Sequence, residues 1–234
     1  MKKLFRVDKN NPFNGLHQNQ YLYRTGAEPQ EAKAVMIMIH GRGSNAKGIT
    51  AIMHEIHKKN KIMVIAPQAM ANTWYPHSFL MPREQNQPHL NSGIQAIADA
   101  IQKAKMHGFT NENIFMLGFS QGACLASEFV ARHPNKYGGI FILSGGLIGD
   151  MIYPELYKGD LKQTPIFIGC SDTDLHIPVE RIHETSTVLN TLNGRVIKRI
   201  YPNMGHTINH EELSNINAII NDNINLMPYL SKRQ

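Results

Sequence analysis

The sequence predicts an α/β architecture, a mainly parallel central sheet with helices on both faces and no large lid. Two observations carry that expectation. Short apolar runs rich in Ile, Val, Met and Phe recur along the 234 residues, and longer segments of helical periodicity separate them. Continuous apolar strands alternating with helices mark a parallel sheet covered on both sides. No repeat, low-complexity tract or Gly/Ser/Pro-rich linker interrupts the chain. Residues 1–234 therefore read as a single domain, with 1–20 a poorly defined N-terminal segment.

The strands are expected at VMIMI (35–39), IMVIA (62–66), IFMLG (114–118), GIFIL (139–143), PIFIG (165–169) and VIKRIY (196–201), and QYLYRTG at 20–26 reads as an antiparallel edge strand leading into the first parallel one. The helices are legible from their stripes and ends. In residues 91–108, Ile94, Ile97, Ala98, Ile101 and Ala104 share one face, Ser92 with Gln95 suggests a capping box, and Gly108 stands where a helix stops. QGACLASEFVAR, closed by Pro134, is the second helix. The third has Pro178 in its first turn, a stripe through Val179, Ile182, Leu189 and Leu192, and Gly194 at its close. The last packs through Ile216, Ile219 and Ile220.

Composition excludes several classes of function. With 42% apolar and 18% charged residues the chain can bury a large core and is not disordered. Its densest apolar runs, AVMIMI at 34–39 and GGIFILSGG at 138–146, are strand-sized, so no membrane span is expected. MKKLFRVDKNN has the charge of a signal peptide without an apolar region behind it. Cys124 and Cys170 are too few for a disulfide scaffold and form no CxxC pair. Both features predict a cytoplasmic protein. Lys plus Arg exceed Asp plus Glu by 24 − 18 = 6, but the groups Lys58/Lys59/Lys61, Arg195/Lys198/Arg199 and Lys232/Arg233 are scattered and lack interleaved aromatics. That distribution predicts a solvated basic surface and no nucleic-acid partner.

The strongest local signal is Gly118-Phe119-Ser120-Gln121-Gly122, directly after an apolar run and directly before a helical pattern. In that context G-x-S-x-G reads as a nucleophile elbow, a turn so tight that only glycine fits two residues either side of the serine. A serine hydroxyl needs a base to take its proton and an acid to orient the base, each in a loop after a later strand. Among 12 histidines, His206 alone lies just past the final strand with a glycine before it. The acid is Asp172 or Asp174, in the loop after PIFIG. His54 and His57 share a helix face, but HEIH is not the HExxH zinc motif; His206 and His210 are four apart, and no carboxylate or cysteine is expected to complete a site with them. No metal is expected.

His40-Gly41-Arg42-Gly43-Ser44 follows the first long strand. A phosphate loop fails because Lys47 precedes Gly48 instead of following it, and a dinucleotide fingerprint fails because no acid occurs between Glu55 and Glu84 to hold a ribose. The remaining reading is an oxyanion loop, in which the backbone N–H groups of Arg42 and of Gln121 point at the developing negative oxygen.

In this order, HGRGS, a strand ending APQA, the aromatic loop NTWYPHSF, GFSQGA, a D-x-x-[VI]-P segment and GMGH resemble the phospholipase/carboxylesterase branch of the α/β-hydrolases, which includes bacterial carboxylesterases and acyl-protein thioesterases. The resemblance runs from about residue 20 onward and implies an α/β-hydrolase fold and a Ser-His-Asp triad. It favours Asp174 over Asp172, because the family's acid stands four residues before the proline, here Pro178. Leu175 replaces a common proline, and Arg42 and Ser44 replace the apolar residue and Asp of the thioesterases. The chain thus looks more like the bacterial esterase subgroup.

Residues 70–90 form a long connection holding Trp74, Tyr75, Phe79, Leu80 and Met81, whose aromatics either wall an acyl pocket or pack beneath the loop. Trp74, Tyr75, Leu175 and His176 are the expected pocket residues. Residues 144–164 are too few for a helical lid, which suggests an open site for short or soluble esters. The Arg42 side chain would border that site and favour an anionic substrate. The expected function is cleavage of carboxylic esters or thioesters by Ser120, His206 and Asp174 through an acyl-enzyme, with no cofactor and a small ester as partner; a homodimer is left open. Lactone or amide hydrolysis on the same fold, and a non-catalytic ligand receptor, are the rivals.

Overall fold

The computed structural model describes residues 4–56 and 61–226. One sheet contains β1 (Leu22–Gly26), β2 (Ala34–Ile39), β3 (Ile62–Pro67), β4 (Ile114–Phe119), β5 (Gly139–Leu143), β6 (Pro165–Ser171) and β7 (Arg195–Tyr201) in the order β1-β3-β2-β4-β5-β6-β7. All neighbours are parallel except β1 against β3, where Leu22 pairs with Pro67 and Gly26 with Met63. The edge strand expected at 20–26 is thus present. The helices are α1 (Ala46–Ile49), α2 (Met53–Ile56), α3 (His89–Met106), α4 (Gln121–Arg132), α5 (Val179–Thr191) and α6 (His210–Leu226).

Both faces of the sheet are covered, so each central strand sends alternate side chains into two cores. Val35, Ile37 and Ile39 of β2 join Ile94 and Ile97 of α3, Leu125 of α4 and Leu189 of α5. Met36 and Met38 join Ala46 of α1, Ile56 of α2 and Ile216 and Ile220 of α6. Among the described strands, β1 and β7, at the edges, alternate exposed and partly buried positions along their length.

The start of α3 corrects one expectation. The helix begins at His89, with Pro88 as its N-cap, which places Ser92 and Gln95 inside it. Their side chains hold the N-terminal segment instead of capping the helix. Ser92 Oγ accepts the His17 N–H at 2.9 Å and donates to Gln18 Oε1 at 2.7 Å, while Gln95 Oε1 accepts the Phe13 N–H at 3.0 Å. The short α1 lacks a long apolar stripe and was not anticipated, whereas α2 carries His54 of the expected helix face. His57, Lys58, Lys59, Lys232 and Arg233 lie outside the described residues.

After β3 the chain reverses its direction across the sheet, because β4 pairs on the far side of β2. The carboxyl ends of β2 and β4 therefore meet at a switch point, where an open α/β sheet leaves a crevice. The loop 40–45 and the residue Ser120 are the two segments that emerge there.

Candidate active site

Ser120 joins β4 to α4 with φ 55° and ψ −122°, a left-handed backbone that a side-chain-bearing residue rarely adopts. The surroundings hold it there. The Ser120 N–H donates to Leu143 O at 2.9 Å, and Ser120 O accepts the Cys124 N–H at 3.0 Å. A Cβ at Gly118 would lie 2.3 Å from Gly122 O, and one at Gly122 would lie 2.1 Å from Ile39 O. Both flanking glycines are thus required by packing. Strain of this kind at a partly buried serine that lines a cavity is characteristic of functional sites.

His206 stands on the loop between β7 and α6, and its Nε2 lies 2.8 Å from Ser120 Oγ. Its Nδ1 lies 2.7 Å from Asp174 Oδ2. The second Asp174 oxygen accepts the backbone N–H groups of His176 at 2.8 Å and Ile177 at 3.1 Å. Burial alone would raise the Asp174 pKa, but the His206 hydrogen bond and these two amides outweigh it and hold the carboxyl below its ordinary value. Cys170 adds a long thiol contact, Sγ to Oδ2 at 3.8 Å. Asp172 faces elsewhere: its Oδ1 accepts the Asn203 N–H at 2.8 Å and ties the β6 loop to the β7 loop.

The loop after β2 approaches Ser120 closely. A Cβ on Gly41 would sit 3.3 Å from both Phe119 O and Ser120 Cβ, and Gly43 has φ 76° with its N–H donating to Asn72 O at 2.8 Å. His40 beneath it is fully buried. Its Nε2 accepts the Ala69 N–H at 3.1 Å, so Nδ1 carries the proton and donates to Gly41 O at 2.8 Å. Burial lowers the His40 pKa and favours this neutral form. Arg42 and Gln121 flank Ser120 in this arrangement, Gln121 as the first residue of α4.

The four expected pocket residues do not wall the cavity at Ser120, which has a volume of about 330 Å³ and is lined in part by Gly41, Ile49, Ile52, Phe119 and His206. Trp74 and Tyr75 are 0% and 1% exposed, and the loop carrying them is stitched down through polar contacts. Trp74 Nε1 donates to His40 O at 2.9 Å, while the buried Gln121 side chain accepts the Trp74 N–H and donates to Tyr75 O, each at 2.8 Å. Leu175 is 95% exposed, and His176 packs edge-on against the His206 ring at 4.8 Å. The Arg42 guanidinium, expected to face an anion, donates to Tyr75 O, Pro76 O and His77 O at 2.8 to 2.9 Å. Its geometry is that of a clamp on the aromatic loop.

Sequence reasoning missed His40, Phe119, Ile49 and Ile52. Phe119 was legible as the variable residue before the serine; the two isoleucines follow the glycine loop in a stretch without clear periodicity. Among the described residues no three His, Cys, Asp or Glu side chains gather as a metal site, and no helix is long and apolar enough to cross a membrane. Of the basic groups, Lys61 pairs with Glu31 at 3.6 Å and Arg199 with Glu211 at 4.0 Å, both on the surface.

Comparison with known proteins agrees with this fold. The family model for phospholipase/carboxylesterase matches residues 24–224. A solved phospholipase/carboxylesterase from Dyadobacter fermentans is 40% identical with a TM-score of 0.83, covering 86% of this chain and 96% of that one. Acyl-protein thioesterase 1 of Debaryomyces hansenii is 25% identical across 85% of this chain and 95% of its own length. Lysophospholipase-like protein 1 of Mus musculus is 24% identical across 80% and 85%.

Proposed function

The chain belongs to the phospholipase/carboxylesterase family of α/β-hydrolases, and on that premise we propose that it is a serine hydrolase that cleaves carboxylic esters, thioesters included, through an acyl-enzyme. The observation that carries this reading is the line of hydrogen bonds from Asp174 through His206 to Ser120, 2.7 and 2.8 Å long. Because the Asp174 carboxylate accepts from Nδ1–H, the Nε2 lone pair of His206 is free to accept the serine proton.

Ser120 Oγ attacks the ester carbonyl as His206 Nε2 takes its proton, and the tetrahedral oxyanion forms against the backbone N–H groups of Arg42 and Gln121. His206 then gives that proton to the departing alcohol or thiol, leaving Ser120 acylated. Water, deprotonated by His206, attacks the acyl-enzyme, and the acid is released with Ser120 restored. The positive end of α4 adds to the stabilisation of the oxyanion. All the groups come from loops at one end of one sheet, so residues 4–226 act as one catalytic unit. Cys124 and Cys170, buried and unpaired, suit a reducing compartment such as the cytoplasm.

Hydrolysis of p-nitrophenyl butyrate by the wild type and by Ser120→Ala tests the reading. The variant is expected to lose at least about a thousandfold in kcat and all labelling by a fluorophosphonate. Equal turnover by the two proteins would overturn it.

A further inference from the structure

Asp174 has a contact that the hydrolytic steps leave unused. A carboxylate offers about four acceptor positions, and those of Asp174 take the His176 N–H and the Ile177 N–H on Oδ1 and His206 Nδ1 on Oδ2. The remaining contact comes from Cys170 Sγ, 3.8 Å from Oδ2, the same oxygen that holds the imidazole. Cys170 lies one residue before the end of β6, paired with Ile200 of β7, and is fully buried. A cysteine in such a place ordinarily serves as a small apolar residue. Here its sulfur faces the carboxylate on which the base depends.

Two further features make the thiol a donor. It has to carry its proton, and burial, with the Asp174 charge adding to it, pushes the Cys170 thiol up to about 12. It also has to be turned toward Oδ2. The fully buried Ser144 hydroxyl, just past the end of β5 on a residue with φ 51°, finds no oxygen or nitrogen partner among the described residues and interacts with the same sulfur. Its backbone is fixed beside β6, because the Ser144 N–H donates to Gly169 O at 2.8 Å. A hydroxyl that donates to the sulfur leaves the thiol proton to Asp174.

We propose that Cys170 is a positioning residue of the triad, whose thiol, steered by the Ser144 hydroxyl, donates to Asp174 Oδ2 and so tempers the hold of that carboxylate on the protonated His206 ring. The proposal rests on the serine-hydrolase reading above. A donor on Oδ2 withdraws charge from the oxygen that stabilises the imidazolium. An imidazolium held less tightly returns its proton more readily to the leaving group. Removing the donor therefore favours the protonated ring and moves the acid limb of the activity profile to higher pH, whereas a stronger donor moves it to lower pH. Packing alone predicts no such opposition, because alanine and serine both replace the sulfur with a smaller group. The charged and titratable groups around His206 stay in place throughout: Asp174 and His176, whose ring packs 4.8 Å away, on the loop after β6, Arg42 across the cavity, and Glu212, bonded to Asn209, on α6.

The pH dependence of kcat/KM for p-nitrophenyl butyrate between pH 5 and 9 tests this in the wild type, Cys170→Ala, Cys170→Ser and Ser144→Ala. Cys170→Ala is expected to raise the acid limb by about half a pH unit and to lower kcat about three- to tenfold at unchanged KM, since the thiol touches no substrate. Cys170→Ser, with the stronger donor, should lower the limb and keep kcat within about twofold of the wild type. Ser144→Ala should raise the limb by less than Cys170→Ala does. Repeating the series in His176→Gln removes the second imidazole at the site, and the same directions are expected there. Limbs unmoved by both Cys170 variants, or moved by both in one direction, overturn the positioning role alone. Where Cys170→Ala proves unstable, the nearly isosteric Cys170→Ser decides by itself, an upward or absent shift overturning the proposal. No turnover and no fluorophosphonate labelling by folded wild-type protein overturns the hydrolase reading together with it.

Discussion

Asp174 and His206, 32 positions apart on separate loops, meet through a 2.7 Å hydrogen bond whose carboxylate is fully buried and whose imidazole reaches solvent on one side. The bond fixes which ring nitrogen carries the proton. Asp174→Asn replaces the acceptor facing Nδ1 with an amide that can donate there, which favours the tautomer with Nε2 protonated and removes the base for Ser120. The expected loss in kcat is about 10⁴-fold with little change in melting temperature. Asp172→Asn, which keeps an acceptor for the Asn203 N–H, should lose less than about fivefold. Measuring both with p-nitrophenyl butyrate decides between the carboxylates, and a larger effect at Asp172 would reverse the assignment.

Arg42 carries opposite expectations in sequence and in structure, so its side chain is a sharp test. A guanidinium facing the substrate predicts that Arg42→Ala weakens anionic esters selectively. The observed hydrogen bonds to Tyr75 O, Pro76 O and His77 O predict instead a loss shared by neutral and anionic esters, accompanied by destabilisation of about 1 to 3 kcal/mol. Urea unfolding and kcat/KM for a neutral and a carboxylate-bearing ester of equal length distinguish them. A selective loss of the anionic ester at unchanged stability would restore the substrate-facing role.

What the sequence made legible here was whatever short-range sterics and periodicity control. The strand runs, the glycines at 118 and 122 and the order of serine, acid and histidine all follow from rules that act within a few residues or along one strand. Contacts between distant loops were not legible. The pairing of Ser92 and Gln95 had the spacing of a cap, yet both side chains bond to residues 13–18, more than 70 positions away. Trp74 and Tyr75 looked like pocket walls because aromatics in a long loop serve either purpose. The tertiary hydrogen bonds that Trp74 donates to His40 O and that Arg42 and Gln121 donate to Tyr75 O select burial. Choosing Asp174 over Asp172 likewise needed the family resemblance, since both carboxylates sit in one turn.

The loop that carries His206 is anchored at its far end by a carboxyl group with an unusual titration. Glu212 is fully buried at the start of α6; its Oε2 accepts the Asn209 N–H at 2.9 Å, and Asn209 Oδ1 accepts the Glu212 N–H at 2.9 Å. Its Oε1 has no hydrogen-bond partner and occupies the space that a Cβ on Gly169 would need. Burial raises its pKa from 4.5 to about 7, opposed by the Asn209 hydrogen bond and assisted by the charge of Glu211. Between those two pH values the folded chain binds a proton at Glu212 that the unfolded chain has released. Folding stability from this group is therefore complete below about pH 4.5 and is lost as the pH rises through about 7, by up to ~3 kcal/mol. Glu212→Gln keeps an acceptor for Asn209 and cannot ionise, so the variant should gain stability over the wild type as the pH rises from 5 to 8. Urea denaturation of both proteins at pH 5, 6.5 and 8 measures the difference, which cancels contributions from other titrating groups. A constant difference across that range would show that Glu212 ionises alike in the folded and unfolded chains.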